Sequence, residues 1–156
     1  VAAALLNRLS AEGVRAQIVS PTPQVVSKNG VVVTAQQPLA FAAQADAVII
    51  GSGMKSDEVA RDPAILRQLR LDPSRQLIAS QCSGALILAA LGLVEPGRPV
   101  CTDLTSAPHV KEMGFTVPGK AFHVEGNVAS AGGSCCPRSH RPIVSLVTPN
   151  HAARSV

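Results

Sequence analysis

The sequence predicts an α/β sandwich built on a mostly parallel sheet, and three observations point there. Short apolar runs of strand type alternate with stretches of helix type over most of the chain. Hydrophobic residues make up 46% of the sequence, yet it holds three Phe and no Trp or Tyr, so the core must be aliphatic. Such a composition suits buried parallel strands covered by helices. Apolar runs also end in turns fit for chemistry, Gly51-Ser52-Gly53 and Ser80-Gln81-Cys82-Ser83-Gly84. In open parallel sheets, ligands bind outside the carboxyl ends of the strands.

Taken in order, Val1 to Glu12 is expected to form a helix with Ala4, Leu5 and Leu9 on one face and Gly13 as its stop. Val14 to Val19 reads as a strand. Gln24 to Ser27 and Val31 to Thr34 flank Lys28-Asn29-Gly30 in the manner of a hairpin. Ala45 to Ile50 reads as a buried strand running into Gly51-Ser52-Gly53. Asp62-Pro63 has the form of an N-cap followed by proline at the first helical position, and Ala64 to Arg70 carries the helix. Asp72-Pro73-Ser74 is a turn, and Leu77-Ile78-Ala79 is a strand. Ala85 to Leu91 is a helix broken after Gly92. Pro99 to Thr102 reads as a short strand, and Ser106-Ala107-Pro108 opens a helix to Met113 that Gly114 ends. Ala121 to Val124 and Asn127 to Ser130 flank Glu125-Gly126 as a second hairpin.

The 156 residues suit one domain with a substantial core. Residues 134–156 differ from the rest: they hold three prolines, no acid and no helical period, and read as an atypical, disordered tail. The net charge of +4 comes largely from this end, where Arg138, Arg141 and Arg154 follow the last acid, Glu125. A solvated tail explains that charge better than a nucleic-acid surface, because aromatic stacking platforms are nearly absent. The four cysteines do not form a disulfide framework in a chain of this size, and the adjacent Cys135-Cys136 suit neither a zinc pair nor an ordinary bridge. No metal site and no cofactor are expected. A reducing cytoplasm is the expected setting. No apolar run reaches the roughly 18–20 residues that span a bilayer, and no membrane partner is expected.

The chemistry concentrates at Cys82. A strand that turns sharply into a helix, with a nucleophile at the turn, is a nucleophile elbow. The turn is tight, so the positions two before and two after the nucleophile must be small, and here they are Ser80 and Gly84. The turn also sets Cys82 at a helix N-terminus, where unpaired N–H groups and the dipole favour thiolate. The plainer alternative is a small apolar cysteine buried at a strand end.

Three segments together resemble the ThiJ/PfpI superfamily, with its class I glutamine amidotransferase-like fold. They are Asp46 to Gly53, Ser80 to Leu93, and Gly126 to Gly133, in the family's order and spacing. The resemblance covers about residues 1–133. It implies a flavodoxin-like three-layer sandwich, a homodimer and a small-molecule substrate. It implies that Cys82 is the reactive cysteine, that Gly51-Ser52-Gly53 is the glycine turn facing it, and that the Gly53 and Ser83 amides form an oxyanion hole. Two such donors are worth a few kcal/mol in a transition state.

The chain departs from the family's pattern at both ends. The family's first strand, with its acidic residue near the cysteine, and its long C-terminal helix are expected to be missing here. The base also stays open. Several family groups carry a His shortly after the elbow helix, and Asp103 falls near that position. Asp103 is either a proton-handling carboxylate or a helix-entry residue. An ionised Asp beside a cysteine raises the thiol pKa. His109 and His123 read more readily as solvent-facing or satisfied side chains. Thr102 and Thr105 could hydrogen-bond a small substrate, although strand-end threonines are common.

The function implied is a cysteine-dependent hydrolase, hydratase or lyase of small molecules. The Cys-Ser-Gly elbow is closest in style to the Cys-Thr-Gly of the isocyanide-hydratase-like branch. The alternatives are a non-catalytic sensory or redox-sensing domain and an inactive truncated copy.

Overall fold

The structure, a computed structural model, describes residues 2–27 and 30–133. Along the chain lie α1 (Ala2–Leu6), β1 (Val19–Ser20), β2 (Gln24–Val26), β3 (Val32–Thr34), β4 (Gln37–Pro38) and β5 (Ala47–Ile50). They are followed by α2 (Ser56–Ala60), α3 (Pro63–Leu66), β6 (Leu77–Gln81), α4 (Gly84–Ala90), α5 (Ala107–Glu112), β7 (Phe122–Glu125) and β8 (Val128–Ala131). Segments Asn7–Glu12 and Leu39–Gln44 are 3-10 helix.

The main sheet has four strands in the order β5-β6-β8-β7. β5, β6 and β8 run parallel, and β7 returns antiparallel beside β8. The chain is therefore a mixed α/β fold of flavodoxin-like type with a mostly parallel sheet. β1 pairs with β4, and β2 pairs with β3, in separate ribbons. The register aligns Ile50 with Ser80 and Ser80 with Ser130, so the carboxyl ends of β5, β6 and β8 finish together. Gly51, Cys82 and Gly132, which follow these ends, are brought to one edge.

Helix α4 is buried from Gly84 through Ala89, as a helix hydrophobic all round must be. Ala85, Leu86 and Ala89 pack with Val100, Val110 and Phe115. Ile87 and Leu88 pack with Ile50 and Ile78 of the sheet. The core is aliphatic apart from Phe115, as the composition requires. Gly84 sits so close to β5 that a Cβ there would stand 2.5 Å from Ile50 O and 2.9 Å from Gly51 O.

The Asp62 cap forms as expected, with Oδ1 accepting from Ala64 N–H at 2.8 Å. Both expected hairpins pair antiparallel, although Lys28 and Asn29 of the first turn lie outside the described residues. Other elements differ. The first helix is α only to Leu6, and Leu5 and Leu9 are exposed. The strand expected at 14–19 shrinks to β1. The helix after Pro63 ends at Leu66, and α2 was not expected. Pro99 to Thr102 is not a strand: it makes one isolated bridge, Pro99 to Thr116, because the Cys101 N–H turns to Ser130 Oγ (2.9 Å). The expected tail, 134–156, with Cys135 and Cys136, lies outside the described residues.

Candidate functional site

Cys82 takes φ +53°, the only non-glycine residue with positive φ among those described. That left-handed turn lets β6 stop and α4 start within a few residues. The Cys82 N–H holds the turn to the sheet by donating to Ala131 O (2.9 Å). Thr102 Oγ1 holds it from the other side by donating to Cys82 O (2.9 Å). Ser80 and Gly84 are buried beneath the turn, and the Ser80 hydroxyl has no hydrogen-bond partner.

The thiol donates to Asp103 Oδ2 at 3.2 Å. The other carboxylate oxygen, Oδ1, accepts from Thr105 N–H (2.9 Å) and Ser106 N–H (3.0 Å) in the turn that leads into α5. Asp103 thus stands both beside the thiol and at the turn that leads into α5. Gly133 closes the floor beneath the pair: a Cβ there would lie 3.2 Å from both Cys82 Sγ and Asp103 Cβ.

Electrostatics reverse the expectation of a ready thiolate. Burial pushes the Cys82 thiol up, and the hydrogen bond to Asp103 and its negative charge push it further. The Ser83 N–H and the Ser52 hydroxyl donate to the sulfur and pull the other way, but are outweighed. Burial also pushes the Asp103 carboxyl up; the Ser106 hydroxyl, the thiol and the Ser106 N–H more than offset this and hold it below the usual range. At neutral pH the resting pair is thiol and carboxylate.

The expected anion donors are arranged unequally. The Ser83 N–H reaches the sulfur. The Gly53 N–H is engaged by hydroxyls, donating to Ser56 Oγ (3.1 Å) and Ser83 Oγ (3.2 Å). Those hydroxyls lie 3.0 Å apart, and Ser56 Oγ donates to Gly53 O at 2.9 Å. The roles of Ser52, Ser56, Ser106 and Gly133 were not anticipated. Ser52 lay inside the flagged glycine turn, and Asp103-x-x-Ser106 has the spacing of a helix entrance.

The histidines are elsewhere. His109 lies 3.4 Å from Glu112 along α5. His123 lies 3.8 Å from Glu125 and lines a cavity of about 380 Å³ with Pro73, Leu88 and Val128. That cavity sits at the amino end of the parallel strands, opposite Cys82. Cys101 is buried. Among the described residues no His, Cys, Asp and Glu cluster could hold a metal, and no helix is long and apolar enough to cross a membrane.

The sequence matches the model of the DJ-1/PfpI family over residues 2–138. No match is found among curated proteins. The fold is similar to a ThiJ/PfpI domain protein from Brachyspira murdochii, at 18% identity and TM-score 0.69, over 83% of this chain and 77% of that one. It is also similar to Drosophila melanogaster DJ-1beta, at 22% identity and TM-score 0.66, over 84% and 72%. A two-domain protein from Anabaena variabilis with DJ-1/ThiJ/PfpI-like and ferritin-like domains matches at 22% identity and TM-score 0.68 over 81% of this chain. The chain spans 38% of the length of that protein. At these identities the likeness is one of fold.

Proposed function

The chain belongs to the DJ-1/PfpI family, and from that premise we propose that Cys82 is the nucleophile of a cysteine-dependent hydrolase, hydratase or lyase acting on a small electrophile. The observation that carries this reading is the Cys82 thiol, held at a strained elbow and donating to Asp103 Oδ2 at 3.2 Å. In this reading the sulfur bonds to an electrophilic carbon as the thiol proton passes to Asp103. The raised thiol and lowered carboxyl make prior proton transfer unfavourable, so bond formation accompanies it. The electron pair displaced onto the substrate's heteroatom is held by the Ser83 N–H and the Ser52 hydroxyl, with the Gly53 N–H reached through Ser83 Oγ. Asp103 then returns the proton to that heteroatom, or in an isocyanide to the attacked carbon itself, where the electron pair remains; water then adds to that carbon, the S–C bond breaks and the proton released by the water restores the thiol.

The Cys-Ser-Gly elbow supports a substrate of isocyanide type, with its single electrophilic carbon. The reading also keeps the chain a homodimer, supported by the exposed aliphatic residues Val25, Val26, Val31 and Val32 on the first hairpin. A second reading, a non-catalytic sensory module, is supported by the raised thiol, since a neutral thiol is a weak nucleophile. The same feature argues against redox sensing, which favours thiolate.

The test is turnover of isocyanide, α-oxoaldehyde and primary-amide probes by the full chain and by Cys82→Ser. Turnover of one class that vanishes in the variant is the expected result. Equal turnover in both proteins sinks the nucleophile. No turnover of any class by a folded protein favours the sensory module.

A further inference from the structure

We propose that Thr102 is a positioning residue for the Cys82–Asp103 pair: its hydroxyl donates to the backbone of the elbow and turns a lone pair to Asp103 Oδ2, where it accepts the proton that this oxygen takes from the thiol. The proposal rests on the nucleophile reading above and adds to it a residue that touches both partners.

Thr102 precedes Asp103 in the chain and is buried. Its Oγ1 stands between the two members of the pair. It donates to Cys82 O at 2.9 Å and lies 3.5 Å from Asp103 Oδ2, the same oxygen that accepts from the thiol at 3.2 Å. A hydroxyl has one proton and two lone pairs. At 2.9 Å the proton is committed to Cys82 O, whereas 3.5 Å is the outer limit of a hydrogen bond. What Thr102 presents to Oδ2 is therefore oxygen rather than hydrogen.

In the resting pair this is a contact between two acceptors, the carboxylate and the hydroxyl oxygen, and it gains nothing. Attack on carbon changes that. The thiol proton moves onto Asp103, Oδ2 becomes a donor, and the sulfur it faced is now bonded to carbon. Thr102 Oγ1 is the acceptor beside it, and a small closing of the 3.5 Å gap makes the bond. The donation to Cys82 O continues throughout and holds the turn. Thr102 thus lowers the cost of moving the proton while neither gaining nor losing one itself.

The test follows Cys82 alkylation by iodoacetamide against pH on the full chain, with the labelled site read by mass spectrometry. In this reaction the S–C bond forms and iodide leaves with the electron pair of the C–I bond. Near pH 7 the resting pair is thiol and carboxylate, and the thiol proton goes to Asp103. At alkaline pH the sulfur is already thiolate and Asp103 takes up no proton. Thr102→Val keeps the shape and removes the oxygen. It should slow alkylation near pH 7 by about two- to tenfold, the range of one net hydrogen bond, and match wild type on the alkaline plateau. Thr102→Ser keeps the oxygen and should restore the neutral rate. In the Asp103→Asn background the sulfur reacts as free thiolate, and Thr102→Val should change nothing. Slowing by one factor at every pH, or in the asparagine background as well, would mean that the hydroxyl only holds the elbow in shape, and overturns the proposal. A valine variant as fast as wild type throughout, or a serine variant that stays slow, overturns it too, and each of these results leaves Cys82 the nucleophile. Thr102→Ala removes the same oxygen and replaces the valine variant should that one fail to fold. A Cys82 that stays unlabelled in folded wild type at every pH overturns the nucleophile reading and this proposal with it.

Discussion

Asp103 divides its carboxylate: Oδ2 accepts from the Cys82 thiol at 3.2 Å while Oδ1 accepts from the Thr105 and Ser106 amides in the turn just before α5. The thiol's acceptor is thus fixed in place by a helix entrance.

Asp103→Asn should lower the pH at which Cys82 becomes thiolate, because the charge that pushes the thiol up is gone. The pH profile of iodoacetamide labelling reads this, with labelling near pH 7 faster in the variant. Probe turnover should fall in the same variant, since the proton acceptor is lost. A labelling profile that does not move would show that the carboxylate charge is not felt at the sulfur.

The same pair shapes stability against pH. Asp103 is lowered in the fold, so its contribution is present above the unfolded carboxyl pKa, about 4, and is lost as pH falls through the folded value. Cys82 is raised, so its contribution is full below the unfolded thiol pKa, about 8.5, and is lost as pH rises through the folded value. Urea unfolding of wild type and Asp103→Asn should differ most between these limits and converge outside them. A constant difference at every pH would contradict the assignment.

Gly84→Ala should destabilise by about 2 kcal/mol or more, because the new Cβ would meet backbone carbonyls at 2.5 and 2.9 Å that cannot swing aside as a side chain does. A thermal melt within a degree of wild type would mean that α4 does not approach β5 this closely.

Ser80→Ala should leave stability unchanged or raise it by about 1 kcal/mol, since it removes a buried hydroxyl without a partner and keeps the position small. A loss of more than about 1 kcal/mol on denaturation would reveal an interaction of that hydroxyl.

Gly133→Ala should slow Cys82 labelling more than it lowers the melting temperature. Its Cβ would press on the sulfur and on Asp103 Cβ at 3.2 Å each, and both are side-chain atoms that can yield. Unchanged labelling would place Gly133 away from the thiol.

The parts of this fold legible in sequence were those with local causes. The elbow announced itself through Ser80, Cys82 and Gly84, and the Asp62-Pro63 cap and the β7–β8 hairpin carried their own turn chemistry. What escaped depended on contacts across the chain. Helix α2 opens at Ser56 with Asp57 and Glu58 in its first turn, but its few residues carry too weak a period to be read. Pro99 to Thr102 has strand composition, yet its hydrogen bonds are decided by Thr116 and Ser130. The helix N-terminus at Cys82 and a nearby Asp103 were both visible in sequence, whereas the burial that contributes most to raising the thiol is a tertiary fact. The covering of Gly53 by hydroxyls from Ser56 and Ser83 was hidden for the same reason.

The φ of +53° at Cys82 has a further consequence for how this position can vary. Outside glycine, such a conformation costs about 1–2 kcal/mol, whichever side chain is borne. Judged by fold alone, glycine would be the better occupant, and a search for thermostability would be drawn to it. A sulfur kept at this address is therefore kept against the preference of its own backbone. Stability screens applied to this chain would be drawn toward erasing the site.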